Sequence, residues 1–396
     1  MNNTLPLGLR SIKLASMTWS EVVAVLALVL AAAALTFGLL AWFRPASAQR
    51  AATARAERKT RKNSSPVIAG ASSGKEEETE EKPQLAVIVN STKPGAAAMR
   101  EQVFSFAAAR YLPEPLWLST SDEHRGRHQA EQAIEAGASV ILAAGGDGTV
   151  REVAGALAGT GAVLGILPQG TGNLLARNLD IPVNSVDEAL RIAGEGKTAP
   201  IDIGWMRTHQ ELPTGTPQTA EANPFTVIGG IGFDANMVAD AGTELKRRVG
   251  WLAYFWAGAK HMGGKRLRTT VQIDNRNPVK LRVRSLLVGN CGKLPGGIML
   301  LPDAVIDDGW LDIAALDTRA GVAGWADLFG KVMLQGMGVR SELPLAAGRI
   351  SHTRARRLAL SVPENQLIQL DGDVMEHAPF AEFWVQPGAL LVRVAS

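Results

Sequence analysis

The stretch SVILAAGGDGTVREV, Ser139 to Val153, decides the fold. Ser139 to Ala144 is a short apolar run that reads as a buried strand, and VREV opens a helix over Val150 to Leu157. Between them Gly145, Gly146 and Gly148 let backbone approach a ligand closely, and the helix N-terminus offers unpaired N–H groups to phosphate. Asp147 would repel phosphate unless a divalent cation lies between, so Mg²⁺ bridging to nucleotide phosphates is expected there. The plain alternative is a tight strand-to-helix turn with a capping Asp. Neither GxGxxG nor GxxxxGK(S/T) fits, which weakens the generic dinucleotide and Walker readings.

Working outward, strands at Leu85 to Asn90, Leu116 to Ser119 and Ala162 to Pro168 alternate with helices at Ala96 to Tyr111 and Arg127 to Ala136. That alternation implies a parallel sheet with ligands at the carboxyl ends of its strands. The strand after GGDGT ends in QGTGNLLARNLDIP, Gln169 to Pro182, a second glycine-rich loop containing Thr171 and Asn173. Two such loops on neighbouring strand ends form one phosphate-binding rim. Far along the chain, QLIQLDGDVM places Asp371 and Asp373 on a turn after an apolar strand. One could accept a hydroxyl proton while the other helps hold Mg²⁺, although an ordinary hairpin turn is the simpler reading of DGD alone.

Beyond Pro200 the texture changes to apolar-alternating strands with Gly and Pro turns, interrupted by helical stretches at Val249 to Met262 and Ala323 to Met337. A mostly antiparallel second domain follows. Thr208 to Asn223 reads as a surface excursion.

The 396 residues are 46% hydrophobic, enough for two domains, and the lone Cys291 excludes a disulfide scaffold or a cysteine-clustered metal site. Residues 1–62 hold nine Lys/Arg against Glu21 and Glu57, leaving 32 basic against 36 acidic residues in the remainder. The basic pI of about 9.0 thus belongs to the N-terminus and is no argument for nucleic acid. Val22 to Phe43 is an uncharged run of 22 residues with Trp19 and Trp42 at its ends. As a helix it would be roughly 33 Å long, enough for a hydrocarbon core of about 30 Å, and its length disfavours a cleaved signal peptide. Two basic residues precede it and seven follow, which puts the C-terminal bulk in the cytoplasm. The expected organisation is a tail over 1–21, a transmembrane helix over 22–43 and a flexible charged linker over 44–83. An α/β nucleotide-binding domain over 84–199 and a β-rich, antiparallel sandwich-like domain over 200–396 complete it. Such a chain sits at the cell membrane as a single-pass protein with its bilayer contact through that helix.

GGDGT, PQGTGN with LARNL, IDIG (Ile201 to Gly204), GGIGFDA (Gly229 to Ala235), PGGIMLLPDAVIDDGWLDI (Pro295 to Ile313) and LDGD together resemble the catalytic domain of soluble diacylglycerol kinases and sphingosine kinases. The resemblance runs in order from about Leu85 to the C-terminus. It implies ATP-dependent phosphorylation of a lipid hydroxyl, diacylglycerol first among acceptors, with ATP and Mg²⁺ as cofactors. Carried over by position, Asn90, Ser91, Thr92, Lys93, Pro94 and Thr120 border the nucleotide. Gly145, Gly146, Asp147, Gly148, Thr149, Val150 and Arg151 hold its phosphates, joined by Gly170, Thr171, Gly172 and Asn173. The catalytic acid is Asp371 or Asp373, and DDGW resembles a structural Mg²⁺ site on Asp308 and the carbonyls of Val305 and Trp310. The family usually has DGE where this chain has DGD, and NSTKPGA replaces NPxSG after the first strand.

Sphingoid-base or other lipid-alcohol kinases, NAD-type kinases and a non-catalytic sensor are the alternatives. The oligomeric state and the acceptor lipid have no readable code. His124 and His128 have helical metal spacing but no third ligand. WLAYFW (Trp251 to Trp256) reads as core, with lipid contact as the alternative, and Lys246 to Arg248 with Lys265, Arg266 and Arg268 as solvated surface, with anionic head groups as the alternative.

Overall fold

The computed structural model describes residues 83–91, 93, 95–121, 125–210, 221–232, 266–295, 298–318 and 348–396. Strand and helix alternate first: β1 (Leu85–Val89), α1 (Ala96–Ala108), β2 (Leu116–Ser119), α2 (Arg127–Glu135), β3 (Val140–Gly145), α3 (Asp147–Leu157) and β4 (Val163–Pro168). The short α4 (Leu174–Asn178) and α5 (Val186–Glu195) follow. β1 and β3 are buried along their whole length, which is why they are continuously apolar rather than alternating. Pairing is parallel in the order β2-β1-β3-β4, so four carboxyl ends share one edge.

α3 starts at Asp147, three residues before Val150. Gly146 enters in an extended conformation, and the Val150 N–H closes the first turn onto the Gly146 carbonyl at 3.0 Å. Val150, Val153, Ala154 and Leu157 lie at i, i+3, i+4 and i+7 and are buried against the sheet.

The rest is strand: β5 (Lys197–His209), β6 (Asn223–Phe225), β7 (Ile228–Ile231), β8 (Leu267–Ile273), β9 (Val279–Val283), β10 (Ser285–Gly289), β11 (Lys293–Leu294), β12 (Ile298–Met299), β13 (Leu311–Thr318), β14 (Gly348–Ala355), β15 (Arg357–Leu370) and β16 (Asp373–Val394). β7, β10, β13 and β14 pair antiparallel in that order, and β15 pairs antiparallel with β7, β8 and β16. Their inner faces make a second core, in which Phe225 and Phe383 meet edge to face at 6.1 Å.

The long β16 ties the two regions together. It runs antiparallel to β5 and β15, and near its end Leu391 and Val392 pair in parallel with Val163 and Leu164 of β4. The last strand of the sequence therefore extends the first sheet.

Two expectations are corrected here, the preceding transmembrane helix and the single-pass cell-membrane location. Among the described residues no helix is long and apolar enough to cross a membrane. The longest, α1, has 13 residues, or about 20 Å against a hydrocarbon core of about 30 Å. The architecture supported is an α/β domain with a β-sandwich-like domain. Residues 22–43 lie outside the described residues, as do 44–82, 211–220, the expected helices over 249–262 and 323–337, and His124.

Candidate active site

Because β3 and β4 are adjacent and parallel, their two glycine loops lie side by side. The Gln169 N–H donates to the Gly145 carbonyl at 2.9 Å. A Cβ on Gly170 would come within 2.8 Å of the Gly146 Cα and 2.9 Å of Asn173 Oδ1, so the second loop cannot carry a side chain at that contact. Asn173, left-handed at φ 48°, closes its own loop: its Oδ1 accepts from the Gly170 N–H and its Nδ2 donates to the Gly170 carbonyl, both at 2.8 Å.

Asp147 joins the loops. Its Oδ2 accepts from the Asn173 N–H at 2.9 Å and its Oδ1 from the Leu174 N–H, which satisfies the start of α4. Burial pushes its carboxyl from 3.8 up to about 6; the nearby Asp371 and Asp373 charges add to this, and the two N–H donors oppose it. The other end of the rim is built by β1 and β2, where the Asn90 N–H reaches the Ala144 carbonyl and the Thr120 N–H the Val89 carbonyl. Asn90, Ser91, Lys93 and Thr120 thus stand at the same sheet edge as Gly145 and Gly170, with Thr171 exposed on it. Thr92 and Pro94 lie outside the described residues. Thr149, Val150 and Arg151 are buried below the rim instead.

The LDGD turn separates its two acids. Asp371, left-handed at φ 50°, is 4% exposed. Its four acceptor contacts come from the Thr226 N–H (2.8 Å), the Thr226 hydroxyl (2.9 Å), the Val227 N–H (2.9 Å) and the Ile228 N–H (2.9 Å). Asp373, with its side chain 37% exposed, lies 3.1 Å from Arg151 Nη1 and 3.6 Å from an Arg125 nitrogen. Its Oδ2 packs over Gly148, where a Cβ would stand 2.8 Å away.

Sequence reasoning misses several of these parts. Thr226 and Glu152 carry no motif, and Arg125 and Arg127 read only as charges between two histidines. Cys291 is buried, as a packed thiol should be.

In the DDGW segment, Asp308 has protein partners on both carboxylate oxygens. Asp308 Oδ1 accepts from the Trp310 N–H at 3.1 Å, while Oδ2 faces Arg354 Nη1 at 3.2 Å. Arg354 Nε also reaches Asp312 Oδ1 at 3.1 Å, and Nη2 donates to the Asp303 carbonyl. Asp202 holds the loop from beneath, accepting from the N–H groups of Gly309 (2.6 Å) and Gly388 (2.7 Å). Val305 is exposed. The Asp308 carboxylate thus faces a guanidinium, which a Mg²⁺ held by Asp308 and the carbonyls of Val305 and Trp310 would have to displace. Among the described residues no group of three or more His, Cys, Asp or Glu side chains is placed to hold a metal ion.

An α/β sheet edge with two joined glycine loops, faced by an acid from a β-sandwich-like domain, defines a two-domain phosphotransferase. The sequence matches the diacylglycerol kinase catalytic domain over residues 84–206 and the YegS C-terminal NAD kinase beta sandwich-like domain over 227–394. The protein named "Probable lipid kinase YegS-like" of Pseudomonas aeruginosa is 30% identical over 324 residues, covering 79% of this chain and 95% of that one. A diacylglycerol kinase of Mycobacterium tuberculosis is 29% identical over 274 residues, covering 68% and 82%. The crystal structure of a diacylglycerol kinase from Bacillus anthracis superposes with a TM-score of 0.60 at 22% identity, covering 80% of this chain and 98% of that one, a likeness of fold. This chain belongs to the family of ATP-dependent lipid kinases built on the diacylglycerol kinase catalytic domain.

Proposed function

We propose that the chain transfers the γ-phosphoryl group of MgATP to a lipid hydroxyl, with diacylglycerol as the acceptor. Residues 84–199 hold the nucleotide and residues 200–396 the lipid. The observation that carries the reading is the division between two acids two residues apart. Asp371 is saturated by four donors, whereas Asp373 remains partly open beside the glycine rim.

Asp373 is the general base. Its carboxylate takes the proton of the lipid hydroxyl as that oxygen forms a bond to the γ-phosphorus and the bond to the ADP oxygen breaks. The N–H groups around Gly145 to Gly148 and Gly170 to Asn173 hold the phosphate oxygens, so positioning and electrostatics carry the rate. A metal that arrives on the nucleotide fits this rim, where Asp147 supplies a carboxylate in a field made by Asp371 and Asp373. Mg²⁺ of this kind takes most of its ligands from phosphate and water, and when bound it would neutralise charge on the transferring group.

The test is incubation of the full chain with labelled ATP, Mg²⁺ and detergent micelles of diacylglycerol, a sphingoid base, phosphatidylinositol or an isoprenoid alcohol, with NAD as a soluble acceptor. Labelled phosphatidic acid, lost by about 10²- to 10⁴-fold in Asp373→Ala, is expected. Asp373→Glu, with the side chain usual in the family, should remain active. Label in NAD alone, or an undiminished Asp373→Ala, would overturn the reading.

A further inference from the structure

Arg151 is the most deeply buried charged side chain near the site, 2% exposed on the first turns of α3. A guanidinium in that position costs several kcal/mol unless it is paired, and well-packed apolar groups often do as well for stability alone. Its partners are specific. Nη1 donates to the Leu370 carbonyl at 2.9 Å and stands 3.1 Å from Asp373 Oδ2. One nitrogen therefore grips the LDGD turn at both ends, while Thr226 to Ile228 anchor Asp371 between them. From the other side Nη2 meets Glu152 Oε1 at 3.3 Å, and Glu152 Oε2 meets Arg127 Nε at 3.4 Å. Arg125, two residues before Arg127, returns to Asp373. The result is an open chain of alternating charge, Arg125, Asp373, Arg151, Glu152 and Arg127, which links the start of α2, helix α3 and the first residue of β16.

We propose that Arg151 is a positioning residue of the phosphoryl-transfer site, which fixes the Asp373 carboxylate over Gly148 and contributes nothing to phosphate binding. The inference rests on Asp373 being the base. Its physical basis is a buried, permanently charged guanidinium whose Nη1 is fixed by its hydrogen bond to the Leu370 carbonyl and holds Asp373 Oδ2 by charge at 3.1 Å, an oxygen that has no hydrogen-bond donor of its own among the described residues. A half-exposed Asp at the first residue of a strand would otherwise sample several rotamers, and general-base catalysis falls steeply when the base is displaced. Arg125 is exposed, and at 3.6 Å it cannot impose the same restraint.

The test uses the full chain, ATP and diacylglycerol in detergent micelles, comparing Arg151→Ala, Arg151→Lys, Asp373→Asn and the double variant Arg151→Ala/Asp373→Asn. Thermal unfolding and ATP binding are measured beside kcat. Arg151→Ala should lose about 10- to 100-fold in kcat with ATP affinity within about threefold of wild type. Arg151→Lys keeps the charge but not the guanidinium, and should fall between the two. In the Asp373→Asn background, Arg151→Ala should cost no further kcat, since there is no base left to position; a merely structural role would lower both backgrounds alike. A wild-type kcat in folded Arg151→Ala overturns the proposal. So does a loss of ATP affinity as large as the loss of kcat, which would put Arg151 on the phosphates. If Arg151→Ala does not fold, Arg151→Lys decides by the same criteria, and full activity there overturns the proposal. An active Asp373→Asn would instead remove the base assignment itself, whatever Arg151 does.

Discussion

Thr226 gives both its backbone N–H and its hydroxyl to the same oxygen of Asp371, at 2.8 and 2.9 Å. With the N–H groups of Val227 and Ile228 on the other oxygen, the carboxylate serves as the buried clasp between the turn after β15 and the segment joining β6 to β7. Two residues later Asp373 has no such enclosure. The two acids of one short motif are thereby assigned different work.

Asp371→Ala should therefore act on stability first. It leaves three backbone N–H groups without an acceptor, and losing the partner of a buried, charge-assisted set costs about 3 kcal/mol or more. Urea unfolding should show a lower midpoint with little change in slope. Asp371→Asn should also lose stability, because an amide NH₂ would face N–H donors. An unchanged midpoint in both variants would contradict the clasp.

Gly148→Ala should separate stability from activity. The residue lies in the first turn of α3, where Ala is the better helix former by about 0.5 to 1 kcal/mol. Its Cβ would also stand 2.8 Å from Asp373 Oδ2, so the carboxylate must move. We expect a thermal midpoint equal to or above wild type together with a kcat lower by about tenfold. Undiminished turnover would mean that the place of Asp373 over Gly148 is not the working one.

The ligand-free protein should lose stability as the pH rises through the titration of Asp147. Its folded value, about 6, lies above the ordinary 3.8, chiefly through burial. The unfolded chain gives up this proton first, so the contribution is fully present below 3.8 and is lost as pH passes from there through about 6. Asp147→Asn cannot ionise. The stability of wild type relative to this variant, from urea titrations at several pH values, should fall across that interval and then level off. A difference that is flat with pH, or that rises, would rule out a raised Asp147.

Arg354 should take the part of a cation in the DDGW loop. Burial pushes the Asp312 carboxyl up, and Arg354 draws it back down by hydrogen bond and charge. Removing the guanidinium in Arg354→Ala leaves Asp312 and Asp308 facing each other, at a cost of about 1 to 2 kcal/mol. The thermal midpoint should drop by a few degrees, whereas EDTA should leave the wild-type midpoint unchanged. A clear fall on chelation of the nucleotide-free wild type would restore a structural metal to this loop.

The local chemistry was legible in the sequence because it depends on short-range rules. Apolar runs of strand length followed by GGDGT and QGTGN announce a parallel sheet with a phosphate rim, and only glycine at 170 lets the second loop lie against the Gly146 backbone as it does. The β-rich texture after Pro200 and the order of the motifs sufficed for the family. The expectation of a spanning helix came from the length of an apolar run, its flanking tryptophans and the charge asymmetry around it, none of which carries information on packing, and it found no support among the described helices.

What only the tertiary structure decided is which groups face each other across long separations. Asp371 and Asp373 look equivalent in LDGD, and the donors that distinguish them come from Thr226 to Ile228, about 145 residues earlier. Arg151 follows the glycine loop and reads as one more phosphate ligand until its side chain is seen to turn inward to Leu370, 219 residues away. Asp308 is paired with Arg354, supplied by a neighbouring strand, and the last strand of the chain completes the sheet begun by the first. Backbone conformation is written in neighbouring residues, whereas burial and charge pairing are settled only when distant segments exclude water together.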